Sequence, residues 1–146
     1  MYHYKSCGLD GIYLKNGYCE SIIHGEKGVS INALDSLHEA ISAYLCDLPR
    51  KLSGKEIRFL RIELDMSQSA LGSLLEKSDQ AIAKWEKDEN DISRADDVCL
   101  RRIYMESRNQ ESNLSELLNR FNEIDREMQQ LSYFAETNEH WNLVAV

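Results

Sequence analysis

The sequence predicts an α+β fold, mostly α. It has a small N-terminal β-hairpin region and a helix, then a bundle of four to five short helices, then a C-terminal amphipathic helix. Three observations lead there. Asn16-Gly17 lies between two runs rich in β-branched and aromatic residues, a two-residue hairpin signal. Ser53, Ser67, Ser78 and Ser93 each precede a short apolar period, as N-caps do. From Leu114 onward, apolar residues recur by threes and fours.

Taken in order, "YHYKSCG" and "IYLKNGYCESII" read as short strands, and "GVSI" adds another. From Ile31 to Leu48 the period becomes helical, through Leu34, Leu37, Ala40, Ile41, Tyr44 and Leu45. Asn32 is the expected N-cap, and the only proline, Pro49, ends this helix. "PRKLSG" reads as a linker. Ser53 then opens the next helix, with Glu56 completing a capping box. Ile57, Leu60, Arg61 and Leu64 mark that helix. Ala70, Leu71, Leu74 and Leu75 mark the one after Ser67, and Ala81, Ile82 and Trp85 the one after Ser78. Ser93 opens a fourth, with Val98, Leu100, Ile103 and Tyr104. The stripe Leu114, Leu117, Phe121, Ile124, Met128, Leu131 and Ala135 suggests a helix from about Asn113 to Phe134. That helix either folds back on its own chain or pairs with a second copy. "HWNLVAV" at the end is strand-like. The expected division is 1–50, a small α+β domain; 51–106, the helical bundle; and 107–146, the amphipathic helix and tail.

Composition narrows the function. The chain of 146 residues carries a net charge of -8. The three segments 1–50, 51–106 and 107–146 carry -2, -2 and -4, so none is basic. Bulk charge therefore holds no nucleic acid here, and any such site is local and geometric. No apolar run reaches membrane-spanning length, and the N-terminus lacks a secretory pattern. Four scattered cysteines in a chain of this size suggest reduced thiols and a cytoplasmic location.

Two short helices joined tightly, in "MSQSALGSLLEKSDQAIAKWE", follow the helix-turn-helix plan, in which the second helix enters the DNA major groove. The segment of roughly residues 55–105 resembles the Cro/CI-type helix-turn-helix family of phage repressors and bacterial regulators. The likeness is carried by "LRIELDMSQSAL" and by "SDQAIAKWE", where the family has Ser-x-x-x-Ile-x-x-Trp-Glu. It implies a sequence-specific, DNA-binding transcriptional repressor that binds operator DNA as a homodimer. It places base reading at Asp79, Gln80 and Lys84. Gln68, at the head of the first helix, is the expected phosphate contact, with Lys77 and Arg94 as flanking cations. Glutamine bridges adenine, lysine donates to guanine, and an aspartate accepts from a cytosine amine. Singly, such surface residues are usually only solvated; their shared pattern is what singles them out. The chain departs from the family at three places. Glu76-Lys77 stands where Gly-Val is usual between the helices, Gly72 where alanine is usual, and Asp88 where glycine follows Trp-Glu. A left-handed position without glycine implies a strained or differently built turn.

The order of a small β region, a helix and a helix-turn-helix is similar to MqsA-type antitoxins of toxin–antitoxin systems. There the N-terminal domain binds a protein toxin. The zinc-binding members carry two Cys-x-x-Cys pairs, and this chain has neither. His3, Cys7, Cys19 and His24 are the right types for a Cys₂His₂ site, but their spacing fits no standard zinc motif, so no cofactor is expected. No phosphate loop, catalytic triad order or His-Glu-x-x-His occurs, and a cysteine nucleophile with His24 or His38 has no local motif, so no enzyme is expected. The rival to a DNA-binding regulator is a protein-interaction module that sequesters a partner and whose helix-turn-helix has lost DNA.

Overall fold

The computed structural model describes residues 1–108 and 131–145. The chain divides into two compact units, Met1–Ile41 with Gln129–Val146, and Ser42–Met128. Strands and helices segregate much as an α+β, mostly helical fold requires.

In the first unit, strands β1 (Tyr2–His3), β2 (Ile12–Leu14), β3 (Tyr18–Ile23) and β4 (Glu26–Ile31) precede helix α1 (Leu34–Cys46), which crosses the boundary between the units after Ile41. Strands β5 (Ser132–Thr137) and β6 (His140–Val144) return to this unit from the far end of the chain. The main sheet has the order β1-β2-β5-β6, with β2 and β5 parallel and the other neighbours antiparallel. Strand β2 alternates, placing Ile12 and Leu14 in the core with Phe134 and Trp141, while Tyr13 stays half-buried. His3, Tyr13 and Tyr133 sit in one cross-strand row on the opposite face, with ring centroids 4.4 and 5.3 Å apart.

Three expectations for this unit change. Asn16-Gly17 is not a hairpin turn, because β2 pairs with β1 and β5 and not with β3. Gly17 has φ +76°, and a Cβ there would lie 2.4 Å from the Trp141 ring, so the glycine makes room for an indole. The real hairpin joins β3 to β4 through His24 and Gly25, both at positive φ as a type I′ turn demands. Asn32 does not cap α1. Its carbonyl accepts the Trp141 indole N–H at 2.6 Å, and the first turn of the helix opens from the Ala33 carbonyl. Finally, most of the helix expected from Asn113 lies outside the described residues, and its last stretch differs: Ser132–Phe134 and Ala135 belong to β5. Parallel pairing with β2 buries Phe134 completely, which a helical stripe alone would not reveal.

The second unit holds the end of α1 and helices α2 (Gly54–Glu63), α3 (Gln68–Leu75), α4 (Asp79–Glu86) and α5 (Arg94–Ser107). All four expected serine caps are present. Ser53, Ser67, Ser78 and Ser93 accept from Glu56, Ala70, Ala81 and Asp96 N–H groups, and Glu56 closes the capping box on Ser53. The core comprises Ile57, Phe59, Leu60, Leu71, Ile82, Trp85, Leu100 and Tyr104. Leu64 and Leu75 are only half-buried, and Leu74 is exposed.

One polar cluster is fully buried in this unit. The Arg101 side chain pairs with Asp97 one helical turn away, at 2.7 Å, and both are 0% exposed. Arg101 also donates to the carbonyls of Leu48, at 2.5 Å, and Arg50, while Asp97 accepts the Leu52 N–H at 2.7 Å. Thus α5 holds the irregular segment 48–52, which leads into the cap of α2. Arg50 adds a two-bond ion pair to Glu56 at 2.7 and 2.9 Å. Burial pushes the Asp97 carboxyl up, and the Arg101 guanidinium pulls it back down.

Candidate nucleic-acid interface

The two short helices α3 and α4 are positioned by their connection and by a polar lock. In the connection, Glu76 adopts the left-handed conformation, φ 56° and ψ 42°, where glycine would be easier. The Lys77 N–H donates back to the Gly72 carbonyl at 2.8 Å, closing the C-terminus of α3. A Cβ on Gly72 would lie 2.5 Å from the Lys77 carbonyl oxygen. The glycine that weakens α3 as a helix is therefore what allows the turn to fold back so tightly.

The lock centres on Glu86, the last residue of α4. Arg61 of α2 binds its carboxylate through two bonds, at 2.6 and 3.0 Å, and the Gln68 amide donates to it at 3.2 Å. Arg61 also donates to the Met66 carbonyl at 3.0 Å, just ahead of α3. One carboxylate thus ties together α2, α3 and α4, and a fork of this geometry fixes direction as well as distance. Asp88, where a glycine was expected, takes φ 59° and accepts the Gly54 N–H at 2.8 Å. A Cβ on Gly54 would meet the Trp85 and Glu86 carbonyls at 2.5 Å, so α2 begins directly against the end of α4. One member of the acidic run after Trp85 is therefore a structural hydrogen-bond acceptor.

These constraints orient α4. Ile82 is fully buried and Trp85 is 7% exposed, while Asp79, Gln80 and Lys84 are exposed. Gln80 and Lys84 are one turn apart and share a face. Asp79 accepts the Gln80 N–H at 2.8 Å and sits in the first turn, where a carboxylate suits the helix dipole. Lys77 is exposed and forms an ion pair with Asp96 at 3.7 Å. Arg94 is exposed at the start of α5. Gln68 lies apart from the others in its bonding, with its amide engaged by Glu86. The lock residues Arg61 and Glu86 carried no functional expectation of their own from sequence. The hints were the Leu-Arg pair that opens "LRIELDMSQSAL" and the final Glu of the Trp-Glu pair.

The residues considered for metal or nucleophilic chemistry are held differently. His3 stacks on Tyr13, the Cys7 thiol donates to the Tyr4 carbonyl at 3.4 Å, and Cys19 and His24 are exposed on β3 and its turn. His38 is hydrogen-bonded to the Tyr4 hydroxyl at 2.7 Å. Among the described residues, no three His, Cys, Asp or Glu side chains converge as a metal site would require. No helix among them is long and apolar enough to cross a membrane.

Residues 57–95 match a family model described as helix-turn-helix, HTH_3. The match runs from α2 through α3 and α4 to the start of α5, well short of half the chain. It supports a helix-turn-helix regulator of DNA-binding type. No curated protein and no solved structure matches the chain.

Proposed function

We propose that this chain is a sequence-specific transcriptional regulator that binds double-stranded operator DNA as a dimer, with α4 in the major groove. The observation that carries the reading is the pairing of α3 and α4 across a closed turn, with Gln80 and Lys84 exposed on one face and Ile82 and Trp85 in the core. Gln80 reads adenine through its two amide atoms, Lys84 donates to guanine, and Asp79 accepts from a cytosine amine. Lys77 and Arg94 contact phosphates, and Gln68 reaches one with the donor that Glu86 leaves over. Residues 51–106 act as the DNA-binding part, while residues 1–50 face a protein partner. By likeness of arrangement that partner is a toxin, and the chain is an antitoxin repressing its own promoter.

A second reading is favoured by charge. The net charge of -8, with Asp79 at the head of α4, opposes DNA and suits a module that only sequesters a partner.

The test is binding to the chain's own promoter region over a range of salt. Gln80→Ala costs ~1–3 kcal/mol and relaxes one base pair. Lys77→Ala and Arg94→Ala each weaken all sequences alike and lower the salt slope by about one. If the double variant Gln80→Ala/Lys84→Ala folds and binds with unchanged affinity and selectivity, α4 is not the reader and the sequestering role takes over.

A further inference from the structure

The β3–β4 hairpin is a two-stranded sheet of its own, separate from the four-stranded sheet. Apart from Tyr18 and Ile31 at its base, every residue in its strands is exposed. A lone hairpin is marginal in water, so its surface matters to what it meets. The register pairs Glu20 with Val29 and Ile22 with Lys27, which puts these four side chains on one face. Ile22 is 72% and Val29 37% exposed. The same four residues, together with Tyr2, Ser21 and Gly28, line an open cleft of about 460 Å³. Two glutamates and one lysine leave the hairpin strands slightly acidic, so the face is not built for phosphate.

We propose that this face pairs with the same face of a second copy of the chain. The four side chains form a two-by-two array, with Ile22 and Val29 on one diagonal and Glu20 and Lys27 on the other. A two-fold axis along the Ile22–Val29 diagonal sets Ile22 on Ile22 and Val29 on Val29. The same operation sets each Glu20 against the other copy's Lys27, twice over. Two-fold axes along or across the strands set charge on apolar side chains instead. The ~4.8 Å strand spacing and ~3.4 Å rise put the two hairpins at a crossing angle of roughly 70°, near the orthogonal class of sheet packing. The face is thus complementary to itself in both hydrophobicity and charge. It is smaller than the ~800 Å² per partner of a standard interface, so the pairing is weak and concentration-dependent. The inference deepens the dimer of the proposed function, yet it rests on the hairpin alone and is read without DNA.

The experiment is sedimentation equilibrium of the full chain, with far-ultraviolet circular dichroism as a folding control. Wild type associates to dimers as concentration rises. Glu20→Lys makes both charges positive and Lys27→Glu makes both negative, so each variant alone associates about tenfold more weakly. An equal mixture of the two regains wild-type association as heterodimers, because each contact is then between opposite charges. Ile22→Ser also weakens pairing, and its exposure within one copy keeps the fold out of the result. The double variant Gln80→Ala/Lys84→Ala associates like wild type even where it loses DNA, which separates the two readings. The proposal is overturned if wild type stays monomeric, if the single-charge variants pair as wild type does, or if the mixture gains nothing over its components.

Discussion

Replacing Arg101 by methionine tests the buried cluster that holds α5 to the segment before α2. Methionine keeps much of the stem volume and removes the guanidinium. Three things follow from the geometry. Asp97, 0% exposed, loses the cation 2.7 Å away and retains the Leu52 N–H as its donor. The carbonyls of Leu48 and Arg50 lose a charged donor. The irregular segment 48–52 loses its clamp. Breaking a buried pair by removing one partner costs ~3–5 kcal/mol, of which the two carbonyls account for roughly 1–3. The effect carries a pH signature. Burial already raises the Asp97 carboxyl and Arg101 lowers it, so removing Arg101 raises it further above the unfolded value of about 3.9. The folded state then holds the proton more tightly than the unfolded chain. The loss is therefore smallest below the unfolded pKa and grows as pH rises through the folded one. Urea unfolding of wild type and Arg101→Met, followed by helical ellipticity between about pH 4 and pH 7, reads both effects. A second change, Asp97→Asn on top of Arg101→Met, recovers part of the neutral-pH loss and flattens the profile. A loss under ~1 kcal/mol at neutral pH, or a difference independent of pH, refutes the reasoning.

Gly72→Ala places the best helix former inside α3, worth ~1 kcal/mol, yet drives a methyl to 2.5 Å from the Lys77 carbonyl, so a net loss of about 1 kcal/mol is expected in urea unfolding and a stabilised variant contradicts the tight turn. Trp85→Ala removes a large core side chain and costs ~3–5 kcal/mol; a melting curve like that of wild type shows that the indole is not in the core. Burial pushes the Cys46 thiol up to about 12, so Cys19 and Cys99, both exposed, react with an aromatic disulfide near neutral pH while Cys46 reacts only after unfolding. Labelling followed by peptide mass analysis checks this, and rapid native labelling of Cys46 overturns it.

The helix-turn-helix was legible because its signals are local. Each serine cap closes on an N–H three residues ahead, so Ser53, Ser67, Ser78 and Ser93 announce their helices without help from the rest of the chain. The burial of Ile82 and Trp85 opposite Gln80 and Lys84 likewise follows from a period of 3.6. The departures from the family pattern were visible as residue types, but not in what they do. Asp88 looks like a surface acid in an acidic run, and only the approach of Gly54 turns it into an acceptor.

The sequence by itself determined that residues 34–107 are mostly helical, where the four helices of the bundle begin, and which face of α4 is free. All of this is carried by hydrogen bonds and side-chain periods that span a few residues. Tertiary structure alone decided how the strands pair, because a strand's hydrogen-bonding edge does not name its partner. Asn16-Gly17 had a local pattern for a hairpin, yet β2 takes β5 from about 120 residues away, and the Trp141 ring fills the space above Gly17. Tertiary structure also decided the fate of the charges. Asp97 and Arg101 of α5 are buried because each finds the other and the groups of 48–52 inside the fold. A charge survives burial only where partners converge on it, and that convergence exists only once the chain has folded.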